Sequence, residues 1–204
     1  MRTPPSIGRK APAFSAPDQS GTVRTLKEFA GRPVVLYFYP KDDTPGCTVE
    51  ACGFRDAWAR FRKAGAEVLG VSPDGAASHG RFARKFRLPF ALLADEPAGA
   101  KPPRICAAYG CWQEKSMYGR TYMGVARTTF VIGPDGKVAA RFDKVKPEGH
   151  AEEVLAAIAA LGSAACKPAK PSSASSASAP ARRSPRTRPA TRRASTSTRA
   201  SKRR

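Results

Sequence analysis

Residues 34–56, VVLYFYPKDDTPGCTVEACGFRD, decide how this chain folds. Val34–Tyr39 is an unbroken apolar run of strand length, set off by Gly31-Arg32-Pro33 before it and a Pro/Gly turn after it, which is the pattern of a strand buried on both faces. Beyond the turn, Cys47, Ala51, Phe54, Trp58 and Phe61 recur at steps of four, three, four and three, one face of a helix that Gly65 closes. Cys47 therefore opens an amphipathic helix directly after a central strand. Unpaired backbone N–H groups and the positive end of the helix dipole favour an anion there, and the thiolate is the form of cysteine that attacks sulfur, carbonyl carbon or peroxide oxygen.

The neighbours of Cys47 suit that chemistry. Thr44 lies in the same turn, where its hydroxyl can accept from a substrate O–H and donate to a thiolate. Pro40 and Pro45 restrict the loop and lower the cost of holding Thr44 and Cys47 together, and the backbone N–H groups at Gly46 and Cys47 can orient an oxygen. Arg127 stands at the mouth of a second strand, RTTFVI, placed to stay charged while its guanidinium fork holds a thiolate and an oxygen together. Glu50, one turn after Cys47, can orient such an arginine or simply complement the helix N-terminus. The bland alternatives are a buried structural cysteine and a satisfied surface arginine. Trp58 and Phe61 belong to the core.

Five helical residues separate Cys47 from Cys52, a rise of about 7.5 Å and a Cα separation of roughly 9 Å. A disulfide needs about 7 Å or less. Pairing these two thiols thus requires the first turns of the helix to unwind, and Gly53 weakens the helix at that place; otherwise Cys52 is an unreactive helix thiol. Cys106 and Cys111 repeat the same spacing, which makes a four-thiolate metal site formally possible. Structural zinc prefers C-x2-C, however, and only His79 and His150 are present as other soft ligands, so no metal is expected. An odd total of five cysteines is also a poor disulfide scaffold, and Cys166 stands exposed where the fold is expected to end.

Outward from this centre, Gly8–Asp18 is an extended lead-in, Glu67–Val71 and Phe90–Leu93 are short strands, and Ser78–Phe86 is helical. Residues 95–104 form a loop. Arg127–Ile132 and Lys137–Phe142 form a hairpin across Gly133-Pro134-Asp135-Gly136, and Glu148–Leu161 is an alanine-rich helix ending at Gly162. The order indicates a three-layer α/β domain with a central mixed sheet.

The formal charge of +20 is concentrated at the end of the chain. Residues 167–204 hold 12 Lys+Arg and no acid, whereas residues 1–166 hold 24 Lys+Arg against 16 Asp+Glu. This divides the chain into a domain, 1–166, and a basic Ser/Ala/Pro/Arg-rich tail, 167–204, which lacks the apolar side chains to offset its ordering entropy and is expected to be disordered. Such a tail can condense on DNA or RNA through phosphates without base specificity. The amino terminus lacks the apolar core of a secretory signal and no apolar run approaches the length of a membrane span, so a soluble cytoplasmic protein is expected. A thiol–disulfide oxidoreductase on the same fold would carry C-x-x-C; here Thr48, Val49, Glu50 and Ala51 separate the thiols.

Pro40, Thr44 and Cys47, spaced as proline, three residues, threonine, two residues, cysteine, make the chain resemble the peroxiredoxins, most closely the peroxiredoxin Q or bacterioferritin comigratory protein group. EKSMYGRTYMGVARTTFVI, residues 114–132, and GPDGKV, residues 133–138, also look like that group. The similarity runs from about Ile7 to Leu161; residues 95–106 form a longer loop than usual, and the tail has no counterpart. The resemblance implies a thioredoxin-like fold, Cys47 as the peroxidatic cysteine completed by Thr44 and Arg127, and Cys52 as the resolving cysteine. It further implies hydroperoxide substrates, thioredoxin or a similar dithiol as reductant, a monomer, and no cofactor.

Overall fold

The computed structural model describes residues 3–117 and 119–164. Cys166, the domain boundary beside it and the basic tail lie outside the described residues.

A small antiparallel pair, β1 (Ser15–Pro17) with β2 (Val23–Thr25), and a 3-10 turn (Leu26–Phe29) precede the central strand β3 (Val34–Phe38), all five of whose residues are buried. Then follow α1 (Pro45–Asp56), α2 (Trp58–Lys63), β4 (Glu67–Ser72), α3 (Ala76–Phe86), β5 (Ala91–Ala94) and α4 (Arg104–Ala108). A second hairpin, β6 (Trp112–Met117) with β7 (Arg120–Val125), leads to β8 (Thr128–Ile132), β9 (Val138–Asp143) and α5 (His150–Ala164). The main sheet has the order β5-β4-β3-β8-β9; β3, β4 and β5 run parallel, while β8 is antiparallel to both β3 and β9. This is the expected mixed sheet of a thioredoxin-like α/β fold.

Alternation along β3 divides the core into two. Val35, Tyr37 and Tyr39 face Cys47, Ala51 and Phe54 of α1, Phe61 of α2, Phe82 of α3 and Val154, Leu155 and Ile158 of α5. Val34, Leu36 and Phe38 face the opposite way, toward Phe29, Ile105, Cys106, Tyr109, Cys111 and Val125. One outer layer is thus helical, and the other consists of α4 and the two hairpins.

Several expectations shift in detail. The single helix through Cys47 and Phe61 is two helices, broken at Ala57, and it starts at Pro45, so Cys47 is the third residue rather than the first. Proline suits that start because its missing N–H has no partner to lose. Arg127 lies just before β8 rather than within it. The β8–β9 hairpin is present, with Gly133 N–H bonded to the Lys137 carbonyl at 2.8 Å and Gly136 at φ 75°. The last helix continues through Gly162 to Ala164, since one glycine costs a helix only about 1 kcal/mol. The lead-in and the stretch after Cys111 supply strands that the sequence reading left unassigned, and the end of the 95–104 loop begins α4.

The turn between β3 and α1 is pinned from below. His79 of α3 is fully buried; its Nδ1 lies 2.8 Å from Asp42 Oδ2 and its Nε2 3.2 Å from the Leu93 carbonyl. The Tyr39 hydroxyl donates to Asp42 Oδ1 at 2.7 Å, and the Asp42 N–H donates to Asp74 Oδ2 at 2.7 Å. Burial pushes the Asp42 carboxyl up, but the bonds and charge of His79 and the bond from Tyr39 outweigh it and leave the group below its usual range. His79→Ala deprives this buried carboxylate of its main partner and is expected to lower the unfolding free energy by about 3 kcal/mol, read by urea titration followed by circular dichroism.

Candidate thiol active site

Cys47 occupies the first turn of α1, with 1% of its surface exposed. Arg127, reaching across from the segment before β8, donates from Nη2 to Cys47 Sγ at 3.3 Å and from Nη1 to Glu50 Oε2. The placement of Glu50 follows from helix geometry: three residues beyond Cys47, it lies on the same face. Its side chain is wholly buried, that of Arg127 17% exposed, and Glu50 Oε1 has no hydrogen-bond partner among the described residues.

Burial pushes the Glu50 carboxyl up to about 7 even though the charge and hydrogen bond of Arg127 pull it down. Burial opposes the charge on Arg127, but the negative charge of Glu50 and of the cysteine outweighs that and holds the guanidinium above its ordinary range. Gly46 makes the approach possible: a Cβ there would lie 3.3 Å from Arg127 Nη2 and 3.7 Å from Pro147 Cγ. Glu50 is thus paired with Arg127 on the face of α1 that carries Cys47.

Thr44 is the extended residue preceding α1; its carbonyl accepts the Thr48 N–H at 2.8 Å and its hydroxyl donates to the Lys41 carbonyl at 3.2 Å. With its proton so placed, the hydroxyl oxygen keeps lone pairs for another donor. Pro40 is half-buried at the exit of β3. Cys52 is half-buried on the same helix as Cys47, both are free thiols, and the intact helix between them is the arrangement that forbids their pairing without unwinding. Arg55 interacts with Cys52 while donating to the Phe86 carbonyl at 2.8 Å, tying α1 to the end of α3.

Cys106 and Cys111 lie in the core on the other face of the sheet, with the Cys111 N–H bonded to the Cys106 carbonyl at 2.8 Å. The four cysteines therefore cannot form one metal site. Burial keeps both as thiols, pushing Cys111 up to about 12 and raising Cys106 well above its ordinary value with help from Asp95.

Two parts of the site escaped the sequence reading. The Asp42–His79 pin joins residues 37 apart, and nothing local marks it. Lys115, on β6, is half-buried, and burial followed by the positive charge of Arg127 lowers its hold on its proton. The only sequence signal for it is its place in EKSMYGRTYMG, two runs that pair across Gly119.

Comparisons with known proteins agree with this geometry. The AhpC/TSA family matches residues 7–141. A protein of Coxiella burnetii named putative peroxiredoxin bcp is 47% identical over 149 residues, 73% of this chain and 95% of the relative. Peroxiredoxin Bcp of Escherichia coli K12 is 46% identical over 152 residues, 74% of this chain and 94% of the relative. Among solved structures, peroxiredoxin Q of Xanthomonas campestris is 43% identical with a TM-score of 0.66, covering 72% of this chain and 90% of that one. A cysteine-to-serine variant of peroxiredoxin Q from Xylella fastidiosa is 34% identical with a TM-score of 0.71, covering 79% and 99%. With the mixed sheet, the thiol at the helix head and the arginine against its sulfur, these similarities establish that the chain belongs to the AhpC/TSA family and, within it, to the peroxiredoxin Q or Bcp group of thiol peroxidases.

Proposed function

We propose that Cys47 reduces hydrogen peroxide and organic hydroperoxides through a sulfenic acid, and that Cys52 then resolves it as an intramolecular disulfide. The observation that carries this reading is the contact of Arg127 Nη2 with Cys47 Sγ at 3.3 Å in the first turn of α1. The thiolate attacks the terminal oxygen in line with the O–O bond; water or an alcohol leaves and the sulfur becomes a sulfenic acid. Arg127 stabilises the charge that moves onto the two oxygens, Glu50 holds Arg127 in place, and Thr44 with the backbone N–H groups at Gly46 and Cys47 orients the peroxide. Pro40 keeps the turn in shape.

The second step requires the first turns of α1 to open so that the Cys52 thiolate reaches the Cys47 sulfur and displaces hydroxide, which becomes water. Cys106 and Cys111 are poorly suited to this role, being buried on the opposite face of the sheet. An external dithiol protein of the thioredoxin kind returns the disulfide to two thiols. In this reading the protein works as a cytoplasmic monomer without cofactor. Among the described residues no helix is long and apolar enough to cross a membrane.

Coupled consumption of hydrogen peroxide with thioredoxin, thioredoxin reductase and NADPH tests the scheme. Native protein is expected to turn over, Cys47→Ser to be inactive, and Cys52→Ser to stop after one equivalent; continued turnover by Cys52→Ser would reassign the resolving thiol. A second test addresses helix opening. A Cβ at Gly53 would stand 3.9 Å from Ala151 Cβ, an ordinary contact, so Gly53→Ala fits the folded helix and stabilises it by about 1 kcal/mol. Disulfide formation followed in single turnover is expected to slow about fivefold while the initial oxidation of Cys47 keeps its rate.

The basic tail adds a separate proposal, non-specific association with DNA or RNA, supported by its 12 cations without an acid. Truncation after Cys166 is expected to abolish retention of duplex DNA at about 0.15 M salt while peroxidase activity persists; unchanged DNA binding would remove the role of the tail.

A further inference from the structure

We propose that Pro147 is a specificity-determining residue of this site, forming the apolar wall against which the organic substituent of a hydroperoxide rests during attack by Cys47. This rests on the peroxidase reading of Cys47 and deepens it by assigning the residue that senses the substituent. The observation behind it is the open space at Gly46, whose backbone directly precedes the thiol. Among the described residues, and apart from its chain neighbours and the backbone of its own helix, two atoms come within 4 Å of the point where a Gly46 Cβ would stand: Arg127 Nη2 at 3.3 Å and Pro147 Cγ at 3.7 Å. The same Nη2 lies 3.3 Å from Cys47 Sγ. One side of this gap is therefore the cation on the reacting sulfur, and the other is an apolar ring.

Pro147 belongs to the loop between β9 and α5, and that loop is fastened at two places to the strand that delivers the arginine. Lys144, at φ 50°, and Gly149, at φ 75°, turn the chain through the left-handed region at its two ends. Between them the Val145 N–H donates to the Arg127 carbonyl at 3.3 Å. Just beyond, the buried His150 opens α5, its Nε2 2.8 Å from Thr129 Oγ1 on β8 and its ring edge-to-face with Phe54 of α1 and Phe142 of β9. Arg127 and Thr129 are two residues apart, so both fastenings hold the loop in step with the guanidinium. Lys146 and Glu148 are exposed, whereas Pro147 between them is half-buried. Its ring thus stands at Gly46 with little freedom to move.

In-line attack fixes how a peroxide must lie. Its terminal oxygen meets Sγ while Arg127 holds the two oxygens, and any substituent is carried on the inner one. Beside the guanidinium, Gly46 leaves room for that group, and the proline ring is the carbon surface that bounds the room. Contact with the ring withdraws apolar area of both partners from water, and a hydroperoxide with a bulky hydrocarbon group gains this contact in full. Hydrogen peroxide has no substituent and gains none of it. Pro147 therefore acts on the ratio of rates between two oxidants while the reaction of the thiol itself is left alone.

Pro147→Ala removes most of the ring, and Pro147→Val returns branched apolar bulk without it. Stopped-flow oxidation of Cys47 in the reduced full chain is measured with hydrogen peroxide and with cumene hydroperoxide. Pro147→Ala is expected to lose about fivefold with cumene hydroperoxide, the weight of roughly one buried methylene, while its hydrogen peroxide rate stays within about twofold of native. Pro147→Val is expected to recover the cumene hydroperoxide rate. Equal losses with both oxidants, an unchanged or faster cumene hydroperoxide reaction in Pro147→Ala, or failure of Pro147→Val to restore it would overturn the assignment. Failure of the native chain to oxidise through Cys47 with either oxidant would instead remove the peroxidase reading on which it rests.

Discussion

A guanidinium held between a buried carboxylate and a sulfur is the constraint on which this molecule depends. Glu50 and Cys47 share one face of α1, and both are buried; Arg127, largely buried itself, is the charge that makes their burial tolerable. Breaking that arrangement strands an acid in the core, which is why a carboxyl that already retains its proton up to about 7 matters. The fold supplies the required closeness by bringing the exit of β3 and the entrance of β8 together, because those strands are adjacent and antiparallel. Gly46 then supplies the room for the guanidinium.

The proposed resolving step asks the same helix to yield. Its lower half is anchored by Phe54 in the core and by Arg55 to the end of α3, and the break at Ala57 separates it from α2. The turn before it is fixed by Asp42 on His79. Between these two anchors lie the thiols, and the segment that must open for them to meet is only a few residues long. Opening it costs local hydrogen bonds rather than the packing of the domain, so the chemistry can cycle without unfolding the sheet.

The sheet sorts the described cysteines by environment. Cys47 and Cys52 belong to the helical side; Cys106 and Cys111 pack on the other, and burial keeps them as unreactive thiols. Equal spacing in sequence therefore carries opposite chemical meaning.

Much of this was already legible in the chain. A continuous apolar strand, a Pro/Gly turn and a helical period after Cys47 determine the central element and the location of the thiol, because those signals act over a few residues. The identity of Thr44, Glu50 and Cys52 as neighbours follows from the same local periodicity. What lies outside that range was decided only by the folded chain. Which side of the sheet each described cysteine faces, the ion pair of Glu50 with Arg127 and the pairing of Asp42 with His79 all depend on strand order and register, which bring together residues that are tens of positions apart. The sequence by itself determined the candidate thiol and the helix that carries it; the tertiary structure decided its charged surroundings, because electrostatic partners meet through space and leave no period along the chain.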